Sequence, residues 1–246
     1  MTTLSGKTAL ITGASKGIGK AIAIAFGAAG ANVAATARTQ SEINEVVSHI
    51  ESNGGKALGV IADLSVESDI DRLAETAIST FGGVDILVNN AAIIHGRIKV
   101  TDLDPQLWRD VLNVNLTGAF LITQKLLPGM IDRKHGKVIN ISSIGGRSGG
   151  AGRSAYRVTK SGLISFTQSL AAEVYEHGIQ VNAICPGGTD TEGFRAAFNT
   201  AGRAENTKLM DPAEIAEVAL FLASDSSSAV TGTAIDSFGG SNPLFG

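Results

Sequence analysis

Cysteine is nearly absent: Cys185 is the one thiol in 246 residues. That excludes an internal disulfide and fits a reducing compartment. Cys185 precedes Pro186 in an apolar stretch and reads as a small buried hydrophobe, not a catalytic group. Basic charge is not in excess. A net charge of −3 and a pI near 5.8 leave no electrostatic footprint for nucleic acid. His49, His95, His135 and His177 form no ligand-spaced cluster, so no metal is expected. Charged residues make up only 17% of the chain against 43% hydrophobic, which points to a large core.

Membrane signals are missing too. Met1–Leu10 carries Lys7 but no apolar run of signal-peptide length. Ala21–Ala37 has no charge and approaches the length of a short span. It is mostly Ala and Gly, however, with Gly27 and Gly30 near its middle, and reads better as a buried helix, turn and strand. A cytoplasmic protein with no membrane partner is expected. There is also no Pro/Ser-rich linker, charge block or repeat, so residues 1–246 are expected to form one domain.

What fills the chain is a strict alternation. Apolar, β-rich runs at Thr8–Thr12, Asn32–Thr36, Ala57–Ile61, Ile86–Asn89, Lys137–Ile141, Gln180–Ile184 and Thr233–Asp236 read as strands buried on both faces. Helices are expected at Gly17–Ala29, Ser41–Asn53, Glu67–Phe81, Pro105–Met130, Ser154–His177 and Pro212–Ala223. The last opens on Asp211-Pro212-Ala213-Glu214, with a cap, a first-turn proline and an early acid. This order predicts an α/β Rossmann fold: a doubly wound parallel sheet of about seven strands with helices on both faces.

The first strand runs into Thr12-Gly13-Ala14-Ser15-Lys16-Gly17-Ile18-Gly19 and then a helix. Small residues let the backbone approach a pyrophosphate, and the helix N-terminus offers free N–H groups. The spacing is Gly-x-x-x-Gly-x-Gly rather than Gly-x-Gly-x-x-Gly. The second strand ends Ala35-Thr36-Ala37-Arg38-Thr39, with no acid to accept from the ribose 2′-hydroxyl of NAD. Arg38 can pair with a 2′-phosphate, and Lys16 lies near the same corner. Both could instead be surface cations, but together at one corner they favour NADP(H) over NAD(H).

At this point the pattern resembles the short-chain dehydrogenase/reductase family, over nearly the whole chain, with 3-oxoacyl reductase-like members in view. The resemblance implies that Asp63, with Leu64, sits beside the adenine and that Asn90 and Ala91, in Asn89-Asn90-Ala91-Ala92, line the nicotinamide ribose. It implies that Asn115, Ser143, Tyr156 and Lys160 form a catalytic tetrad, with Tyr156 and Lys160 also touching cofactor. Pro186, Gly187, Thr189 and Thr191 would hold the carboxamide end. Asn115 would use its local backbone to hold a water on a proton path to Lys160. Ala92 stands where the family usually has glycine, Arg157-Val158-Thr159 where it has small residues, and Phe238 where an acid or amide is common. The substrate lid, at about 191–211, is short.

The chemistry agrees without the family name. A carbonyl receiving hydride needs a positioned proton donor. Free tyrosine has a pKa of about 10, and lowering it by three units requires roughly 4 kcal/mol of phenolate stabilisation. One ammonium about 4 Å away at an effective dielectric near 20 supplies that much. Tyr156 and Lys160 are four apart on an expected helix and share a face, so Lys160 is expected to depress the phenol. Ser143 ends its strand with Ser142, and either hydroxyl could hold the substrate oxygen; the thirteen-residue interval to Tyr156 is what the family shows for Ser143. Singly, each is an ordinary residue: a core tyrosine, a solvated lysine, loop serines. In this order behind a phosphate loop, they read as a site.

Arg147 and Arg153, set among glycines in the loop Ile144–Ser154, are candidates to recognise a substrate carboxylate or phosphate, or are solvent-facing loop cations. His95 and Arg97 fall near the same cleft. Docking an acidic carrier protein would need a basic surface. Arg133 and Lys134 could contribute, but Ser161–Gly178 holds Glu173, Glu176 and His177 and no Lys or Arg. A small ketone, ketoacid, sugar or polyol is therefore favoured over a carrier-borne 3-oxoacyl thioester. The family resemblance implies a homotetramer built through the long helices and the last strand. Leu112, Leu116, Phe120, Phe166 and Leu170 could line that interface or the core, and Phe238, Leu244 and Phe245 in the tail need a covering surface. Rival readings are an NADP-binding sensor without turnover, and an isomerase or dehydratase on the same fold.

Overall fold

The computed structural model describes residues 4–198 and 209–239. Seven strands, β1 (Thr8–Thr12), β2 (Asn32–Ala37), β3 (Lys56–Ile61), β4 (Ile86–Asn89), β5 (Gly136–Ile141), β6 (Ile179–Pro186) and β7 (Ala234–Ser237), form one sheet in the order β3-β2-β1-β4-β5-β6-β7. Every neighbouring pair is parallel. The helices are α1 (Gly17–Ala28), α2 (Gln40–Ser52), α3 (Glu67–Phe81), α4 (Pro105–Leu112), α5 (Gly118–Arg133), α6 (Ser154–Val174), α7 (Glu192–Phe198) and α8 (Pro212–Ala223).

Alternation along the strands explains the two helical layers. Ala9 and Ile11 of β1 face one side, with Phe26 of α1, Val46 of α2 and Leu222 of α8. Leu10 faces the other, with Leu73 of α3, Leu126 of α5 and Leu170 of α6. A central strand buried on both faces has no position for a polar surface residue, and β1 is TALIT with all five residues buried. α8 starts as expected: Asp211 accepts from Ala213 N, and Glu214 closes the capping box.

The expected helix over Pro105–Met130 is three pieces. A π-helical turn, Asn113–Thr117, separates α4 from α5, and Asn115 is buried inside it. An insertion of this kind widens the helix without breaking its run, so periodicity cannot reveal it. α6 stops at Val174 and continues only as a 3₁₀ turn over Tyr175–His177. α7 falls within the short segment expected as a lid. Leu244 and Phe245 lie outside the described residues. Arg133 and Lys134 precede β5 and so stand at the opposite sheet edge from the strand C-termini. The Arg133 guanidinium donates to Val84 O at 2.7 Å and lies 3.7 Å from Asp85. The expectation that this pair serves the cleft is corrected on that ground.

Candidate active site

The sheet order turns between β1 and β4, and the crevice beyond their C-terminal ends is where such folds bind ligands. The loop from β1 to α1 is shaped for close approach. Gly13 and Gly17 have φ of +64° and +52°. A Cβ on Gly13 would lie 2.8 Å from Ala91 Cα, and one on Gly17 2.9 Å from Thr191 Cγ2. Gly19 has no room for a side chain either, since Asn90 Nδ2 and Gly13 O would each be 2.3 Å away. The segment after β4 is tied to this loop. Asn90 donates to Thr12 O and Gly13 O at 2.9 and 3.0 Å, and Thr12 Oγ1 accepts from Asn90 N and Ala91 N. Ala92 keeps φ outside the left-handed region, so a glycine is not required there.

These elements enclose a cleft of about 430 Å³ whose wall includes Gly13, Ser15, Lys16, Gly17, Ile18, Arg38, Asp63, Leu64, Asn90, Ala91 and Thr191. Gly19 lies beneath it. The corner of the cleft that holds Lys16 and Arg38 contains a residue the sequence reading missed. Glu42, in the first turn of α2, accepts from Lys16 Nζ at 2.7 Å and lines the cleft. The hydrogen bond from Lys16 holds the Glu42 carboxyl below its ordinary range and raises Lys16. Arg38 stands 4.0 Å from Asp63, whose other oxygen accepts from Ser65 N and Oγ. The corner therefore has two cations and two carboxylates. An acid four residues after Arg38, at a helix start, was the signal that could have been used.

A second pocket of about 100 Å³ adjoins the first, sharing Ile18, Asn90, Ala92, Ile94 and Thr191 with it. It gathers Ser143, Tyr156, Lys160, Pro186, Gly187 and Thr189, with Phe194 of α7 on its outer side. Ser143 and Ser142, equivalent in the sequence, are not equivalent here. Both line the pocket, but Ser142 is buried and donates to Lys160 O at 2.7 Å, whereas Ser143 accepts from Gly145 N at 3.0 Å and is the serine that hydrogen-bonds the Tyr156 side chain.

Lys160 donates to Ile141 O at 2.6 Å and lies 5.6 Å from the centre of the Tyr156 ring. Burial lowers its ammonium to about 8, opposed by Cys185 and aided by Arg153. Burial also raises the Tyr156 phenol, and the groups that oppose this are Ser143 and Arg153. The expectation that Lys160 depresses Tyr156 is thus not met in this arrangement, because the ammonium is turned to a main-chain carbonyl. Asn115 is fully engaged: Oδ1 accepts from Ile93 N at 2.7 Å, and Nδ2 donates to Ile93 O at 3.1 Å and Thr159 Oγ1 at 3.3 Å.

The two loop arginines part company. Arg147 is turned away from both pockets, its Nε 2.8 Å from Asp236 and its NH2 donating to Ala234 O, so it staples the loop to β7. Its expected substrate contact is corrected accordingly. Arg153 lies over the Tyr156 ring, 4.1 Å from its centre, and 4.7 Å from the centre of Phe198. Arg157 donates to Ser148 O and so binds its own loop. His95 is buried with Nδ1 2.7 Å from Gly96 O, and Arg97 is exposed with its Cβ beside Gly152.

A family model described as short chain dehydrogenase matches residues 7–202. The 3-oxoacyl-[acyl-carrier-protein] reductase of Vibrio cholerae is 37% identical over 243 residues, 96% of this chain and 98% of that one. That of Aquifex aeolicus is 39% identical over 245 residues, with 96% and 98% covered. Among solved structures, the 3-ketoacyl-(acyl-carrier-protein) reductase from Brucella melitensis complexed with NADH superposes with a TM-score of 0.89. It is 34% identical, with 97% of this chain and 99% of that one covered.

Proposed function

The chain belongs to the short chain dehydrogenase family, and from that premise we propose that it reduces the 3-oxo group of an acyl thioester with NADPH. The observation that carries the reaction is one small pocket in which Ser143, Tyr156 and Lys160 meet beside the long cleft. Similarity over nearly full length to 3-oxoacyl reductases supports the thioester, ahead of the small free ketone that the sequence favoured.

The residues present fit a nicotinamide cofactor. Glycines whose Cβ would strike a neighbour form a cradle for a pyrophosphate, and Arg38 and Lys16 offer cations for a 2′-phosphate. Asp63 and Leu64 would flank the adenine, and Pro186, Gly187, Thr189 and Thr191 the carboxamide end. When bound, the cofactor supplies hydride. Ser143 and Tyr156 orient the substrate oxygen, and Tyr156 delivers the proton as charge builds on it. Lys160, and a path beginning at the Asn115 backbone, return a proton to Tyr156. The preference for NADP(H) rests on Arg38 and Lys16, and is tempered by Glu42.

A second reading, a small ketone or ketoacid, is favoured by one observation: helix α6 has no basic residue beyond Lys160 to meet an acidic carrier. The deciding experiment follows NADPH oxidation with 3-oxoacyl thioesters, ketones, ketoacids and sugars, for wild type and Tyr156→Phe. Thioester turnover that collapses in the variant, with NADPH still bound, supports the proposal. Turnover confined to free ketones moves the substrate, and cofactor binding without any turnover moves the protein to a sensor.

A further inference from the structure

Most arginines among the described residues have a polar partner. Among the described residues Arg38, Arg72, Arg133, Arg147 and Arg195 reach carboxylates. Arg109 donates to Gln106 and Arg157 to Ser148 O. Arg153 is different. No carboxylate pairs with it among the described residues, and its Nε is buried without a hydrogen-bond partner. A half-buried guanidinium with no carboxylate beside it and a hydrogen bond to the Tyr156 side chain keeps its charge at a cost, so such a position has a use for the charge.

Its neighbours identify the use. The guanidinium carbon lies 4.1 Å from the Tyr156 ring centre, whereas Lys160 Nζ is 5.6 Å away and committed to Ile141 O. Phe198 of α7 lies against it, 4.7 Å from guanidinium carbon to ring centre. We propose that Arg153 is a further catalytic residue, the cation that acts on the Tyr156 oxygen.

This rests on the reductase reading above. As the carbonyl carbon gains hydride, its oxygen takes the Tyr156 proton, the C=O π bond becomes C–H and O–H bonds, and a phenolate remains. Arg153 holds that charge through ring-face and side-chain contact until a proton returns from the Lys160 side. In the reverse direction it favours the phenolate that must accept the alcohol proton. The groups facing this centre are Ser143, Lys160 and Arg153 around Tyr156, Arg97 and Arg157 around Arg153, and the Cys185 thiol by Lys160. Among the described residues none of these is an acid that competes for the guanidinium.

The chain has only two tyrosines, and the other, Tyr175, is exposed, so a Tyr175→Phe background leaves one phenol to follow. Tyrosinate absorbance is titrated in that background with Arg153, Arg153→Lys and Arg153→Met, with circular dichroism tracking the fold. The expected result is a midpoint at least about one pH unit higher in Arg153→Met and an intermediate one in Arg153→Lys. The pH–rate profile for alcohol oxidation should move the same way. Equal midpoints in all three proteins, including titration only on unfolding, overturn the proposal. So does a fall in rate with an unmoved midpoint, which would make Arg153 structural. Because the titration needs no substrate, failure of the reductase reading shows separately, as absent turnover with the shift intact.

Discussion

Glu42 accepts a hydrogen bond from Lys16 at 2.7 Å across one corner of the long cleft. A cofactor 2′-phosphate and this carboxylate would compete for one ammonium. Glu42→Gln should therefore tighten NADPH roughly fivefold, the scale of one exposed ion pair, while leaving NADH little changed. Fluorescence titration of both cofactors measures this. A parallel gain for NADH would show that Glu42 acts on loop shape instead of on the phosphate.

Ser142 and Ser143 should separate stability from turnover. Ser143→Ala removes a hydroxyl that lines the small pocket beside Tyr156 and should lower kcat by about 10²-fold with the melting temperature unchanged. Ser142→Ala loses a buried bond to Lys160 O and should cost about 1–2 kcal/mol of stability by denaturant unfolding, with far less effect on kcat. The reverse pattern would reassign the pair.

Lys160 carries a pH signature. Its folded value, about 8, lies below the ordinary 10.5. The unfolded chain therefore binds more protons between these values, and folding stability gains with pH across that window. Lys160→Met has no such dependence. Its stability relative to wild type should be most favourable below pH 8 and decline towards pH 10.5, by up to about 3 kcal/mol. Urea unfolding of both proteins at pH 7 and 10 tests this, and a wild-type-minus-variant stability that stays constant or falls with pH would contradict it.

Phe120 is 43% exposed on α5 and meets Phe166 of α6 edge-to-face, with ring centres 6.1 Å apart. An exposed aromatic ring backed by a partly buried one on a second long helix suits a partner surface, as the expected tetramer requires. Phe120→Asp should convert an assembly of four 25.2-kDa chains to smaller species in light scattering. A wild-type monomer would remove the premise.

Much of this was legible because it is local. The glycine loop, the strand alternation of TALIT and the cap at Asp211 are each set by neighbours in sequence, and they appear where expected. What was not legible depends on pairing between distant segments. Arg147 and Arg153 look alike six residues apart, but the intervening glycines turn one to Asp236 on β7 and the other onto Tyr156. The choice between Ser142 and Ser143 depends on which hydroxyl reaches Lys160 O. Glu42 lies a helix turn beyond the residues that decided the cofactor reading, and only folding carries it to Lys16. The widened turn at Asn113–Thr117 leaves the helical periodicity nearly intact and so left no trace.

The side-chain amide of Asn115 both accepts from and donates to the main chain of Ile93, as a neighbouring peptide unit would. In effect it adds one rung to the sheet beyond the last residue of β4. The floor of the cleft is then a plank fixed at two ends, at Asn90 by the glycine loop and at Ile93 by this borrowed rung. Cutting the second fixing leaves the plank hinged at the first. Loss of Asn115 would therefore be felt as slack beneath the cofactor before it was felt as a missing relay for protons.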